Sequence, residues 1–199
     1  MHQSSKTPYH ENNVGIHLFH TIQKSLEPTL LFLPAMAGEA IDGFRSLAPC
    51  LASGFNVASM SFRGRGRSTT PTEGYKFIDH AGDIKLVLGD LKVNKIVLVA
   101  CGISVIYAAY YLQEYGLSNI AGLVILGHPW RVNKAKMGWA EELSKIRFRG
   151  KPVTATMRKA AMVQIEREST AVDLYLEYEG LKLPTLVMHT PINKGLLTG

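Results

Sequence analysis

Residues 96–112 run Ile-Val-Leu-Val-Ala-Cys-Gly-Ile-Ser-Val-Ile-Tyr-Ala-Ala-Tyr-Tyr-Leu without a single charged side chain. No other stretch limits the fold as tightly. The run is only marginally short of the roughly 18 apolar residues that suggest a membrane span, yet its two halves favour different backbones. Ile96–Val99 are β-prone, Gly102 sits in a tight turn flanked by Ala100 and Ser104, and Val105, Ile106, Ala108, Ala109 and Leu112 follow at helical spacing. A helix that is apolar all round belongs in the centre of a fold. Residues 96–112 therefore read as a buried strand, a turn and a buried helix.

The rest of the chain repeats that alternation. β-prone runs at Ile16–Ile22, Thr29–Leu33, Val57–Phe62, Leu123–Leu126 and Thr185–His189 are strand candidates. Ile84, Val87, Leu88 and Leu91 have the i, i+3, i+4, i+7 spacing of an amphipathic helix. Phe44–Leu51 carries a similar stripe, with Pro49 restricting where that helix can start. Strands alternating with helices predict the α/β class, a mostly parallel sheet with helices on both faces. Residues 130–180 break the pattern. Met137, Ala140, Leu143 and Ser144 predict one helix, Met157, Ala161 and Ile165 a second, and Val172, Tyr175 and Leu176 a third, with Gly150-Lys151-Pro152 between the first two. Such an insertion reads as a short helical cap over one end of the sheet.

With 199 residues, 46% hydrophobic and 19% charged, the chain has the size and composition of one ordinary globular domain, residues 1–199. Met1–Pro8 is polar and lacks the apolar core of a signal peptide, so a cytoplasmic location without membrane attachment is expected. Cys50 and Cys101 make neither a disulfide framework nor a Cys-x-x-Cys metal pattern, and no cofactor or metal is expected. The formal net charge of +6 is concentrated. Arg131, Lys134, Lys136, Lys145, Arg147, Arg149, Lys151, Arg158 and Lys159 face only Glu141 and Glu142 in the same stretch, and 166–179 then turns acidic. The two stretches are expected to be solvated helix faces that partly neutralise each other. Arg63-Gly64-Arg65-Gly66-Arg67 lacks the repetition and interleaved aromatics of a nucleic-acid-binding tract, so nucleic acid is not an expected partner.

Several segments, in order, resemble the α/β-hydrolase family from about Ile16 to Asn193. Phe32-Leu33-Pro34-Ala35 sits where the family's strand ends in Leu-His-Gly. Ser61-Phe62-Arg63-Gly64-Arg65-Gly66-Arg67-Ser68 resembles the Asp-x-Arg-Gly-x-Gly-x-Ser segment, and Ala81-Gly82-Asp83-Ile84 the opening of the following helix. Gly122–Gly127 is similar to the sixth strand, and Leu183–His189 to the Pro-Thr-Leu-Val strand that leads to the catalytic acid. Ala100-Cys101-Gly102-Ile103-Ser104 is similar to the nucleophile elbow, a small-x-nucleophile-x-small turn between strand and helix.

That resemblance implies a nucleophile, an acid and a histidine in chain order, the acid orienting the histidine that deprotonates the nucleophile. The nucleophile's place falls on Gly102, which has no side chain to attack with. The acid's place, four residues after His189, falls on Asn193, and Lys194–Gly199 contains no histidine. The resemblance thus implies a degenerate member, its sheet truncated after the seventh strand. Weaker catalytic candidates are Cys101 and Ser104, each with His128 after the sixth strand. Each also suits a structural role: Cys101 as a small buried hydrophobe, Ser104 as a hydrogen-bond partner in the first helical turn, and His128 as a loop histidine beside Pro129 and Trp130. His80 carries no constellation.

An elbow also aims backbone N–H groups at a developing oxyanion. Here those donors would belong to Ile103 and to Ala35 or Met36. The expected function is non-catalytic binding of a small acyl or carboxylate ligand, or of a partner protein, around Ala35, Met36, Gly102, Ile103 and His128. The alternative is an unusual esterase-type hydrolase using Cys101 or Ser104 with His128, or completed by a second chain. The edge at Thr185–His189 is expected to pair with a second copy or a partner chain.

Overall fold

A computed structural model describes residues 9–11, 15–22, 27–127, 130–148 and 150–188. In chain order its elements are β1 (Tyr9–Glu11), β2 (His17–Thr21), β3 (Thr29–Leu33), α1 (Ala40–Leu47), β4 (Asn56–Met60), α2 (Phe77–Leu91), β5 (Ile96–Cys101), α3 (Ser104–Tyr115) and β6 (Ile120–Leu126). There follow β7 (Arg131–Val132), α4 (Trp139–Lys145), β8 (Arg147–Phe148), β9 (Lys151–Pro152), α5 (Lys159–Glu168), β10 (Val172–Asp173), α6 (Tyr175–Glu179) and β11 (Thr185–Met188).

Seven strands form one sheet in the order β1-β2-β4-β3-β5-β6-β11. The strands from β4 to β11 in that order are parallel, while β2 runs antiparallel to both β1 and β4. β3 and β5 are neighbours in the middle. The chain leaves β3 towards β4 on one side and leaves β5 towards β6 on the other. At such a switch point the two outgoing loops diverge and leave a crevice at the carboxyl ends of the strands.

Helices cover both faces. Alternate residues of the central strands, Leu31, Leu33, Ala58, Met60, Leu98 and Ala100, join Ala81, Ile84 and Val87 of α2 and Val105, Ile106, Ala108 and Ala109 of α3 in the main core. The opposite parity, Phe32 and Ser59, meets α1, where a Cβ on Gly43 would stand 2.2 Å from the Phe32 ring. Only glycine lets α1 approach the sheet that closely. The predicted strands and central helices are all present, and a mostly parallel α/β-hydrolase-like sheet is the observed architecture.

Local differences have physical reasons. α1 spans Ala40–Leu47, earlier than the Phe44–Leu51 stripe, and the chain passes into a 3-10 turn at Ala48–Ser53 around Pro49. The missing N–H of Pro49 ends the α-helical ladder. β1, too short and polar to show a period, is held by backbone pairing to β2. Val172 belongs to β10, which pairs with β7, so the third predicted cap helix shrinks to α6.

The segment between β6 and β11 packs a second small core, Ala140, Val153, Met157, Ala161, Met162 and Ile165, against Tyr75. It is pinned to the 63–68 turn through backbone atoms. Gly66 N donates to Thr156 O at 2.7 Å and Arg158 N to Gly64 O at 2.9 Å. Glu168 closes another clamp by accepting from Gly74 N and Tyr75 N. On the other side Trp130 stacks on Tyr178 with centroids 4.6 Å apart, and the Tyr178 hydroxyl donates to the Ala109 carbonyl. Burial pushes the Tyr178 phenol up to about 12.

The expected neutralisation between the basic and acidic stretches takes another form. Lys159 and Lys145 pair with Glu141 and Glu142, whereas Glu166 accepts from the backbone N–H groups of Gly138 and Ala140. Backbone donors at a helix start outcompete a distant, hydrated lysine. Among the described residues no helix is long and apolar enough to cross a membrane.

Candidate functional site

The loops after β3 and β5 meet at the switch point. After β5 the backbone turns sharply at Gly102, whose φ is +57°, the left-handed conformation that costs an L-residue with a Cβ roughly 1–2 kcal/mol. Gly102 N donates to Leu126 O and Val105 N to Gly102 O, so the turn is tied to β6 on one side and starts α3 on the other. The loop after β3 brings Ala35 against this turn. A Cβ on Gly102 would lie 3.2 Å from the Ala35 methyl, so the place of the absent side chain is a tight contact rather than an open hole.

Ser104 is fully engaged inside the turn. Its Oγ accepts from Cys101 N at 2.8 Å and donates to Leu33 O at 2.7 Å, with Cys101 O a further acceptor at 2.9 Å. The serine is buried and stitches β3 to β5. Cys101 is half-buried, and burial pushes its thiol up, away from the thiolate a nucleophile needs. Neither side chain is aimed at a described histidine. His128, His189 and Asn193 lie outside the described residues.

A cavity of about 620 Å3 lies over the turn, between the sheet and the segment that follows β6. Its floor is Met36, Ile103 and Tyr107, its walls include Phe77, Trp139 and Ile165, and Lys76, Lys134 and Lys136 stand at its rim. Of the predicted ligand-binding residues, Met36 and Ile103 line this space; Ala35 and Gly102 do not. Neither the Met36 nor the Ile103 N–H meets a protein acceptor among the described residues.

Under the floor lies a buried polar cluster. Arg63 grips Asp83 through Nε at 3.0 Å and Nη2 at 2.6 Å, and its backbone N–H adds a third donor at 3.1 Å. Arg65, 1% exposed, turns inward beside it. Its Nε donates to Met36 O at 3.0 Å, Nη1 to Arg63 O at 2.7 Å and to His80 Nε2 at 2.9 Å, and Nη2 lies 3.5 Å from Met36 Sδ. Burial raises the Tyr107 phenol, and the neighbouring Arg65 charge acts in the opposite sense. His80, which the sequence placed outside any constellation, stacks on Tyr107 at 4.2 Å and 14°. Its Nδ1 donates to Lys76 O at 2.9 Å, so Nε2 is the acceptor for Arg65 and the ring is neutral. Burial first, and the Arg65 charge second, hold its pKa well below the usual histidine value.

Arg65, His80 and Tyr107 escaped the sequence reading. Fifteen residues separate Arg65 from His80 and 27 separate His80 from Tyr107, with no periodicity linking them. The one signal was an arginine between two glycines, where an inward turn is sterically easy.

The chain matches the alpha/beta hydrolase fold family over residues 28–185. It belongs to that family. It is 24% identical over 169 residues to the AB hydrolase superfamily protein YisY of Bacillus subtilis (strain 168), a match that spans 68% of this chain and 63% of YisY. Among solved structures it resembles the esterase RhEst1 from Rhodococcus sp. ECU1013, with a TM-score of 0.70, 19% identity and coverage of 87% of this chain and 76% of that one. It also resembles the bromoperoxidase of Bacillus anthracis, with a TM-score of 0.67, 18% identity and coverage of 87% and 77%. The N-acyl homoserine lactonase AidH matches with a TM-score of 0.68 and 18% identity over 90% of this chain and 76% of that one. Among the described residues no cluster of three or more His, Cys, Asp or Glu could hold a metal ion.

Proposed function

We propose that this protein binds a small acyl or carboxylate ligand at the elbow without hydrolysing it. The observation that carries the reading is Gly102 at the elbow's tip, with φ +57° and no side chain, beneath a cavity floored by Met36 and Ile103. Backbone donors survive the loss of a nucleophile, and unpaired N–H groups at a helix start favour an anionic or carbonyl oxygen. Cys101 and Ser104 do not restore chemistry on this reading, one because burial keeps its thiol protonated, the other because its hydroxyl is spent on Leu33 and Cys101. The AidH structure is a complex with N-hexanoyl homoserine, a ligand of the acyl class proposed here.

The test is incubation of purified protein with short-chain p-nitrophenyl esters alongside calorimetric titration with the matching acids. Binding of acids without ester turnover is expected. Turnover that disappears in Cys101→Ala or Ser104→Ala would overturn the reading in favour of an unusual hydrolase.

We propose also that β11 pairs with a second copy of the chain. Leu186, Val187 and Met188 are about half exposed on the outermost strand of the sheet among the described residues, and an apolar edge invites pairing. Sedimentation at micromolar concentration should show a dimer that Val187→Lys dissociates; a strict monomer would end this proposal.

A further inference from the structure

Among the described residues, the cation beneath the cavity floor is hydrogen-bonded to no carboxylate. Arg65 is buried, and each of its hydrogen bonds goes to a neutral acceptor: the carbonyls of Met36 and Arg63, His80 Nε2 and Met36 Sδ. The Asp83 carboxylate beside it is already matched by Arg63, at 2.6 Å. A buried charge whose hydrogen bonds all go to dipoles is costly even with the Asp83 charge nearby, and an anion brought close to it recovers part of that cost. Met36, which Arg65 touches, and Tyr107, which stacks on its partner His80, are themselves part of the cavity floor.

We propose that Arg65 makes the cavity selective for ionised carboxylates over neutral acyl esters and amides. This rests on the binding reading above and names its ligand class. The carboxylate sits at the Met36 and Ile103 N–H groups, one residue layer above the guanidinium, and the hydrophobic body lies between Phe77, Trp139 and Ile165. Met36 couples the two layers. Arg65 Nε holds its carbonyl and so fixes the backbone that carries the donor. Its thioether, a weak acceptor on a flexible stem, covers Arg65 Nη2 and can swing aside for a stronger one. At the rim, Lys76, Lys134 and Lys136 outnumber Glu142 and Glu168, which favours the same sign of ligand.

The experiment is calorimetric titration of the full chain at pH 7.5 with three probes of one shape: 4-phenylbutanoate, its methyl ester and its amide. The acid should bind about tenfold or more tightly than either neutral probe, as expected for a unit charge a few ångströms from a buried cation. Arg65→Gln, checked for folding by its melting curve, should bring the three affinities together. Should that variant not fold, the salt response of the wild type decides. Affinity for the acid should change by less than about twofold between 50 and 300 mM NaCl, because an interior charge is poorly screened; a steep loss would assign the selectivity to the rim lysines and overturn the role of Arg65. Equal affinity for acid, ester and amide would overturn the charge selectivity while leaving the binding reading in place. Failure of all three to bind, or release of acid from the ester, would overturn the binding reading and this inference with it.

Discussion

The methyl of Ala35 lies 3.2 Å from where a Cβ on Gly102 would stand. In the pattern that this chain resembles, the position of Ala35 is glycine and that of Gly102 carries the nucleophile. Here the side chain is on the opposite wall. A side chain at 102 would therefore need the Ala35 methyl to give by a few tenths of an ångström. Gly102→Ser should cost about 1–3 kcal/mol, from its φ of +57° and from the Ala35 contact. Ala35→Gly should recover the contact part only in the presence of Ser at 102, so a double-mutant cycle by urea denaturation should show a coupling outside additivity. Additive losses would mean that Ala35 does not feel position 102.

Ser104 and Cys101 should separate cleanly as structural and bystander residues. Ser104→Ala leaves the buried Cys101 N–H and Leu33 carbonyl without their partner, a loss of about 1–3 kcal/mol. Cys101→Ala removes one half-buried sulfur and should cost about 1 kcal/mol or less. Chemical denaturation of both variants checks the order, and a larger loss for Cys101→Ala would reverse this account.

Where hydrophobic pattern decided the structure, the sequence could be read. β3, β5, β6 and the α3 helix are apolar because they form the main core, and the helices α4 and α5 announced themselves by spacing. Elements fixed by distant partners could not be read. β10 exists because Val172 and Asp173 meet Val132 and Arg131, and a two-residue strand has no period. Arg65 was the largest surprise at the site. An arginine in a glycine-rich turn reads as surface, but the 63–68 turn is closed from outside by Met157, with Thr156 and Arg158 supplying backbone bonds from about 90 residues away. That contact sends the guanidinium inward to His80 and Met36; the flanking glycines permit the inward turn, but the contact that selects it is not local.

The Arg63–Asp83 pair should matter far more than the surface pairs. Asp83 is buried and receives three donor groups of Arg63. Asp83→Ala would strand that arginine in the interior, beside Arg65, and should cost about 3–5 kcal/mol. Replacing Glu141 or Glu142, whose lysine partners are solvent-exposed, should leave the melting temperature unchanged within error. A small effect of Asp83→Ala would show that the 63–68 turn is held by its backbone bonds alone.

Stability should fall on mild acidification because of His80. Its folded pKa is depressed by burial and by Arg65, so below about pH 6.5 the unfolded chain takes up a proton that the folded protein refuses. The unfolding free energy then drops as pH falls through that range, by up to about 1.4 kcal/mol per pH unit for this one group. The groups facing the ring reinforce the sense: Arg63 and Arg65 repel a second charge, Tyr75 and Tyr107 are neutral, and Asp83 is committed to Arg63. Burial raises the Asp83 carboxyl, which acts in the opposite sense nearer the carboxylate range, so the measurement belongs between pH 7.5 and about 5.5. His80→Gln should flatten the slope there, its amide keeping a donor for Lys76 O and an acceptor for Arg65. An equal slope in wild type and variant would remove His80 as its source.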